Sequence, residues 1–281
     1  MAHFTNQAQL TYNNTVTVSN LAVGEIQDVL SINKTAVNEV YTNGDTVTYA
    51  INIVNSGSSE LTGLTLTDNL GAYTFGSLNL TPLTYVPETV KYFRNSVLQA
   101  PPTVSETPDG LVITNFTVPA NGTAMFLYET VTNEFTPLET GSSITNTASL
   151  SGSFTSVSTQ ETVNVSTEPE LSIFKSISPI PVLENGTVTY TFVIRNEGNA
   201  PVSSGAVITD VFNPVLSNVT ASFNDTPWTQ GIDFTYDQSS GIFTTVPDKV
   251  TVEAASYEQN TATGIVTVTP GTSTLVVTGT I

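Results

Sequence analysis

The sequence predicts an all-β protein made of two tandem immunoglobulin-like β-sandwich domains. Apolar β-branched and aromatic residues alternate with polar ones in short runs, such as TVTYAINIV from residue 46 and TVTYTFVI from residue 187. Such runs, bounded by Gly, Asn, Pro and Asp, are typical of antiparallel strands with one buried face. No segment keeps a helical period over several turns, and the strand pattern of the first half recurs in the second.

Charge and composition exclude several classes of function. The chain has 281 residues, 24 Asp and Glu against six Lys and Arg, a formal net charge of -18, no Cys and one His, His3. Nucleic acid and anionic membranes are therefore unfavourable partners. Thiol nucleophiles, disulfides, zinc clusters and a His-based triad are excluded as well. We expect no cofactor, no metal site and no enzyme activity.

The sequence indicates no insertion into a membrane, because no apolar run approaches the roughly 20 residues that a membrane helix needs. The N-terminal MAHFTNQAQL has neither a basic region nor an apolar core, so it does not read as a secretory signal. We expect that a leader has been removed or that the protein reaches its workplace by another route, such as release of a spore by lysis.

An internal repeat divides the chain. Four pairs of identical residues in the two copies are separated by 141 or 142 positions: Leu30 and Leu171, Lys34 and Lys175, Tyr49 and Tyr190, Asp68 and Asp210. The segment that begins at Val118 also resembles the segment that begins at Val268. We predict an N-terminal segment at 1–27, a first domain at 28–166 and a second domain at 167–281.

The two copies end differently. In the first copy, residues 132–165 predict the end of one strand and roughly two more, and the second copy has no equivalent of them. At the other end of the chain, FTNQAQL (4–10) resembles ITNTASL (144–150), 140 positions later. The second domain is therefore predicted to lack its last strands, and the N-terminal segment is predicted to carry them.

An open sandwich and a hairpin without a core complement each other, because exposed sheet edges invite pairing and an isolated hairpin is marginally stable. If the domains run in an extended array, as the short linker between them indicates, the N-terminal strands cannot reach the second domain of the same chain. We therefore predict donation to a neighbouring subunit. The alternatives are a disordered leader or a fold back within the chain. The predicted donor residues are Phe4, Ala8, Leu10, Val16 and Val18.

Two of the four lysines, Lys34 and Lys175, occupy the same position in the first strand of each copy. By alternation each shares a face with apolar neighbours, and that face is expected to be buried. A buried lysine must be paired, neutral or consumed. Candidate partners are Asp68 and Asp210, in the TD that ends a strand of each copy, together with Asn146 and Asn6, each in a TN.

The pattern of these residues, with G-x-TVTY-x-x-x-I-x-N-x-G and a late TN-x-A, resembles the tandem repeat domain of bacterial surface proteins known as domain of unknown function eleven. It is also similar to the Lys to Asn isopeptide domains of Gram-positive adhesins and pilins. The resemblance covers both copies. In such domains a lysine amine attacks an asparagine side-chain carbonyl, a carboxyl group assists and ammonia leaves.

Carried over to this sequence, the resemblance implies that Lys34 is linked to Asn146 with the help of Asp68. In the second domain it implies a bond from Lys175, helped by Asp210, to Asn6 of the next molecule. The alternative is that each Lys and Asp form a buried ion pair and each Asn is only hydrogen-bonded.

The sequence thus favours a structural subunit of a head-to-tail filament, extracellular and on a bacterial cell or spore surface, whose partner is another copy of itself. The alternative is a monomeric or anchored adhesion module that binds glycans or host proteins through its loops. Trp228, with Phe234 and Tyr236 nearby, is a candidate sugar platform, although aromatic residues at strand spacing are more often part of a core.

Overall fold

The structure, a computed structural model, describes residues 2–26, 29–153 and 156–281. These residues form 28 strands and no α-helix, so the predicted all-β class is confirmed. Accordingly, the described residues contain no helix that is long and apolar enough to cross a membrane. The predicted boundary between residues 27 and 28 lies outside the described residues.

The first strands form a hairpin, the N-terminal hairpin, whose backbone ladder is made only within itself in the described part of the chain. Its strands are β1 (Ala2–Asn6), β2 (Gln9–Tyr12), β3 (Thr15–Val18) and β4 (Ala22–Ile26). β1 pairs with β4, and β2 pairs with β3. Asn13 and Asn14 both have positive φ at the tip, as the commonest two-residue hairpin turns require.

The next fourteen strands enclose the first hydrophobic core, and we call them the first unit. They are β5 (Leu30–Ala36), β6 (Val40–Tyr41), β7 (Thr46–Asn55), β8 (Thr65–Asp68), β9 (Tyr73–Phe75), β10 (Leu78–Leu80), β11 (Leu83–Tyr85), β12 (Lys91–Arg94), β13 (Val97–Leu98), β14 (Thr103–Thr107), β15 (Gly110–Thr114), β16 (Gly122–Thr132), β17 (Ser143–Ser151) and β18 (Val157–Val165).

Two sheets of the first unit face each other across its core. Sheet 1 has the order β13-β12-β16-β7-β5, with β11 also on β16, and sheet 2 has the order β14-β15-β8-β17-β18-β6. Strand β7 shows why they stack: its Val, Tyr and Ile side chains at 47, 49, 51 and 53 are buried and alternate with more exposed neighbours. This period-2 pattern gives the strand one apolar face.

The last ten strands enclose the second hydrophobic core, and we call them the second unit. They are β19 (Leu171–Ser178), β20 (Thr187–Asn196), β21 (Thr209–Val211), β22 (Ser217–Phe223), β23 (Thr226–Trp228), β24 (Phe234–Asp237), β25 (Ile242–Thr245), β26 (Ser256–Gln259), β27 (Val266–Thr269) and β28 (Gly271–Thr280). Sheet 3 has the order β19-β20-β28-β22-β23, and sheet 4 has the order β21-β25-β24.

Sheets 3 and 4 repeat the main strand order of sheets 1 and 2, except at one side of sheet 4. In sheet 2, β8 lies between β15 and β17, whereas β21, which occupies the place of β8, pairs only with β25 in the described chain. No counterpart of β17 or β18 lies beside β21 among the described residues. As a result, all eight residues of β19 in the opposite sheet are exposed.

A hairpin is inserted into the second unit and corrects the predicted alignment of Val118 with Val268. The bridge between Leu61 and Val118 has its equivalent in the bridge between Val202 and Val252. Residues 119–121 then separate Val118 from β16, whereas residues 253–270 separate Val252 from β28. The sequences VPANG (118–122) and VTPG (268–271) are similar, and the inserted strands β26 and β27 show the same alternation of apolar and polar residues as the other strands. The sequence alone therefore aligned Val118 with Val268.

Candidate cross-linking sites

A lysine and an aspartate connect the two sheets inside the first unit. Lys34 lies on β5 of sheet 1, and its Nζ forms an ion pair with Oδ2 of Asp68, on β8 of sheet 2. Lys34 is 1% exposed and Asp68 is 2% exposed. The predicted inward orientation of Lys34 is therefore observed.

Two tyrosines surround this pair. The Tyr128 hydroxyl donates a hydrogen bond to Oδ2 of Asp68, and Lys34 Nζ donates to the same hydroxyl at 2.9 Å. Lys34 Nζ also lies 4.5 Å from the centre of the Tyr49 ring. Burial lowers the pKa of Lys34 to about 8, although the Asp68 carboxylate opposes part of this shift. A lowered pKa increases the fraction of neutral amine, which is the nucleophilic form.

Asn146 completes the group from β17, the strand beside β8. It is fully buried, its Oδ1 accepts the Gly71 backbone N–H at 3.3 Å, and its Nδ2 has no hydrogen-bond partner in the structure. Burial raises the pKa of Tyr49 and Tyr128, and the nearby Asn146 amide offsets part of this rise. A buried amide nitrogen without a partner is costly in a folded core.

The chemistry available to this group is amide exchange. Attack of the Lys34 Nζ on the Asn146 Cγ would form a carbon–nitrogen bond, and cleavage of the Cγ–Nδ2 bond would release ammonia. Asp68 is the group that can carry the proton from Nζ to the leaving nitrogen. The site holds an amine, an amide and a carboxyl group in a buried setting, where proximity replaces a bimolecular encounter.

The second unit has the matching lysine and aspartate in a more open setting. Lys175 on β19 forms an ion pair with Asp210 on β21. Its Nζ lies 4.7 Å from the ring centre of Tyr190 and 5.4 Å from that of Phe212. The side chain of Lys175 is 39% exposed, so its predicted burial is wrong for the described chain. The reason is that no strand covers this side of β21.

The strand pairing also shows that the two sites differ at the position of Tyr128. Tyr49 lies opposite Tyr128, whereas its equivalent Tyr190 lies opposite Val277. The hydroxyl that contacts both members of the first ion pair therefore has no equivalent in the second. Asn6, the predicted partner of Lys175, lies in the N-terminal hairpin and is exposed, so one chain does not bring these two residues together.

The predicted donor residues are all exposed in the N-terminal hairpin, including Phe4 at 56% and Leu10 at 66%. Phe4 lies across from Gly24, where a Cβ would overlap its ring. Val16 and Val18 lie opposite Thr11 and Gln9. Residues that pair directly share a face. The two valines are thus on the opposite face from Leu10.

Sequence reasoning did not single out Tyr49 and Tyr128 as part of the first site. Tyr49 had a detectable signal, because it recurs as Tyr190 within the repeat, but Tyr128 has no counterpart to mark it.

The aromatic residues of the second unit do not form a platform. Phe234 and Tyr236 are buried in the second core, and Trp228 stacks on Phe223 at 5.0 Å.

No protein-family model matches the sequence, and no curated protein matches it. Among solved structures, the chain is similar to the D312A form of BcpA, the major pilin subunit of Bacillus cereus, at 12% identity and a TM-score of 0.37, over 94% of this chain and 70% of that one. It is similar to the pilus backbone RrgB of Streptococcus pneumoniae at 12% identity and a TM-score of 0.34, over 86% and 55%.

A third similar structure is ACE19, the collagen binding subdomain of the Enterococcus faecalis surface protein ACE, at 9% identity and a TM-score of 0.32, over 50% of this chain and 99% of that one. These three structures are bacterial pilus and surface proteins, the kind of protein that the sequence resembles. At such low identities and TM-scores, the likeness concerns the class of fold alone.

We predict that a proteolytic digest contains a branched peptide joining Lys34 to Asn146, lighter than its two components by one ammonia. Asn146→Ala removes this species. It also lowers the free energy of unfolding by about 4–5 kcal/mol, the loop-closure value for a cross-link that spans roughly 100 residues. Mass spectrometry and urea unfolding measure the two effects.

Lys91→Ala is the matched control, because Lys91 lies on the exposed side of β12 and should leave both quantities unchanged. An unmodified Lys34 in digests of folded wild-type protein would show that the group is a buried ion pair and no more.

Proposed function

We propose that this protein is a structural, non-enzymatic subunit of a bacterial surface filament, in which each molecule donates its N-terminal hairpin to the second unit of the next. The proposal treats the segment 1–27, the first domain 28–166 and the second domain 167–281 as functional pieces. A surface role is supported by the adhesin and pilin domains to which the chain is similar.

The observation that carries the proposal is the register of the N-terminal hairpin. Gln9 lies opposite Val18, and in the first unit Ser149 lies opposite Ser158. Gln9 and Ser149 are 140 positions apart, and so are Val18 and Ser158. The same spacing relates FTNQAQL to ITNTASL. Strands β2 and β3 of the N-terminal hairpin therefore have the same pairing register as β17 and β18, the hairpin that completes the first unit.

The second unit, which is the proposed acceptor, has an open cleft beside β21. A cleft with a volume of about 190 Å³ opens beside the free edge of β21. Its apolar walls come from β19 and β20 of sheet 3 and from the segments that precede β21 and follow β25: Leu171, Ile173, Ile194, Ile208, Val250 and Val252. In the first unit, β17 lies beside β8 at the corresponding edge and covers the core.

The first unit also supplies a register for docking. Ala148 lies opposite Asp68 and Leu150 lies opposite Leu66. Transferred through the repeat, Ala8 would lie opposite Asp210, and Leu10 would lie beside Ile208 at the wall of the cleft. Burial of large side chains such as Phe4 and Leu10 contributes about 1.5–3 kcal/mol each. New ladder hydrogen bonds along β21 would add to this.

Chain connectivity favours a neighbouring molecule as the acceptor. Residues 27–29 alone separate β4 from β5, and residues 166–170 separate β18 from β19. A connector of about four peptide steps spans at most roughly 15 Å. The N-terminal hairpin therefore stays beside its own first unit. A head-to-tail contact between different surfaces continues as an open filament unless its rotation closes a ring.

Docking would also bring Asn6 to the second site. On the repeat, Asn6 takes the position of Asn146, two residues from Ala8 and beside Asp210. The Lys175 amine would then attack the Asn6 Cγ, Asp210 would carry the proton to Nδ2, and ammonia would leave. The donated strand would cover the half-exposed lysine, and the filament would become covalently continuous.

The first prediction is that a variant without residues 2–26 forms no filaments in negative-stain electron microscopy, whereas the full chain does. A synthetic peptide of residues 2–26 should bind the truncated variant at one site, because the open edge of β21 remains. Filaments of unchanged appearance from the truncated variant would contradict strand donation and leave the adhesion module as the better reading.

The second prediction concerns the docking register. Because the chain contains no Cys, Gln9→Cys combined with Thr209→Cys should give disulfide-linked oligomers under oxidation, since the transferred register pairs these positions. The experiment is done with Asn6→Ala present, so that the disulfide is the one covalent link between subunits.

The matched control for the register is Thr5→Cys with Thr209→Cys, which keeps the same outer face and moves the thiol along the strand. Equal cross-linking in both variants would contradict the proposed register, even if filaments form.

The third prediction is that wild-type filaments boiled in detergent give a ladder of oligomers. Lys175→Ala and Asn6→Ala should each reduce that ladder to monomer, because each removes one partner of the bond. Lys249→Ala, which changes another half-exposed lysine of the second unit, should keep it. A wild-type filament that falls entirely to monomer would exclude the covalent bond and leave non-covalent donation intact.

A further inference from the structure

The inserted hairpin β26–β27 reaches from the second unit to the first. Gln259 Nε2 donates a hydrogen bond to the Tyr73 hydroxyl at 2.7 Å, and the Val266 backbone N–H donates to the Glu134 carbonyl at 2.7 Å. At its turn, a Cβ on Gly264 would overlap the Leu80 side chain, so the turn lies directly against β10. These contacts join parts of the chain that are far apart in sequence.

The apolar side chains of this hairpin belong to the first core rather than to its own. Tyr257, Val266 and Val268 pack against the buried cluster of the first unit. The Tyr257 hydroxyl meanwhile donates to the Glu197 carbonyl of the second unit at 2.7 Å. The hairpin is therefore attached to both units. It continues directly into β28 of sheet 3, and its apolar face packs against the first unit.

We propose that β26–β27 is a brace that holds the two units of one molecule at a fixed angle. Two further hydrogen bonds lie at the same junction. Asn199 Nδ2 donates to the Ser166 carbonyl at 2.9 Å, and Thr140 Oγ1 donates to Asn199 Oδ1 at 3.3 Å. Apolar packing together with satisfied polar groups is what separates a rigid contact between units from a mobile one.

The inserted hairpin has no counterpart in the first unit, and the surface that receives it has no counterpart in the second unit. The first unit has residues 119–121 where the second has the insertion 253–270. The surface that receives the brace is formed by β9–β10 and the segment 133–142, which holds Glu134 and Leu138. In the second unit, residues 212–216 alone separate β21 from β22, so no equivalent of β9–β10 is present there.

A joint between the second unit of one molecule and the first unit of the next would therefore have no brace. It rests on the donated strands and the short connector. The brace makes the joint within each molecule stiff, and the joint between molecules bends more easily. A filament would bend at every second joint. This second half of the inference rests on the proposed function, whereas the brace itself does not.

Val266→Asn combined with Val268→Asn tests the brace in the full chain. Both side chains contact the first core and neither belongs to the second. Amide hydrogen exchange in β26–β27 and β9–β10 should become at least about tenfold faster, as expected when a local opening energy falls by about 1.4 kcal/mol. The control is Ile265→Asn with Thr267→Asn, on the exposed face of the same strand.

Electron microscopy of filaments tests the alternation. In wild type, the angles at successive joints should fall into two alternating classes, one narrow and one broad, and the Val266, Val268 variant should broaden the narrow class. Equal exchange in the variant and its control overturns the brace. Equal angular spread at all wild-type joints overturns the alternation.

If the chain never polymerises, the proposed function and the alternating joints both fail. Hydrogen exchange then still decides whether the brace holds the two units together.

Discussion

The proposed assembly depends on one strand edge of the second unit, the free edge of β21, which lies beside a hydrophobic core. In the first unit β8 has a neighbour on each side, and in the second unit β21 has one. An open edge leaves backbone donors and acceptors without partners and exposes apolar side chains of the facing sheet, as seen along β19. The N-terminal hairpin has the converse difficulty, because it carries apolar side chains and has no core. The proposed strand donation would relieve both conditions at once.

Burial of charge links this edge to the cross-linking chemistry. Lys34 and Asp68 hold the two sheets of the first unit together across its core, where removal of either partner would leave an unpaired charge. Conversion of the lysine into an amide would remove its charge and release the amide nitrogen of Asn146 that has no partner. At the open edge of the second unit, the equivalent lysine Lys175 is 39% exposed, and a donated strand would cover it. Completion of the fold and formation of the bond would then be a single event.

The two kinds of joint give such a filament distinct mechanical properties. Within a molecule, the brace and the contacts around Asn199 oppose rotation between the units. Between molecules, strand pairing and a covalent bond would resist separation without fixing the angle. The net charge of -18 per chain would keep neighbouring filaments apart by electrostatic repulsion. Strength along the axis, compliance across it and low lateral adhesion are compatible in one chain because different residues provide them.

The sequence by itself determined the strands, the repeat and the inward position of Lys34, because period-2 alternation and repeat spacing are local patterns that survive without knowledge of the partner strand. Tertiary structure alone decided which strands lie opposite one another. That pairing placed Tyr128 against the first ion pair and Val277 at the equivalent position of the second unit. It also placed Val16 and Val18 on the opposite face from Leu10 and showed β26–β27 to be an insertion whose apolar side chains pack against the first core. These features were hidden because strand register and contacts between units are set by residues far apart in sequence, and a shift of one position moves a side chain to the other face.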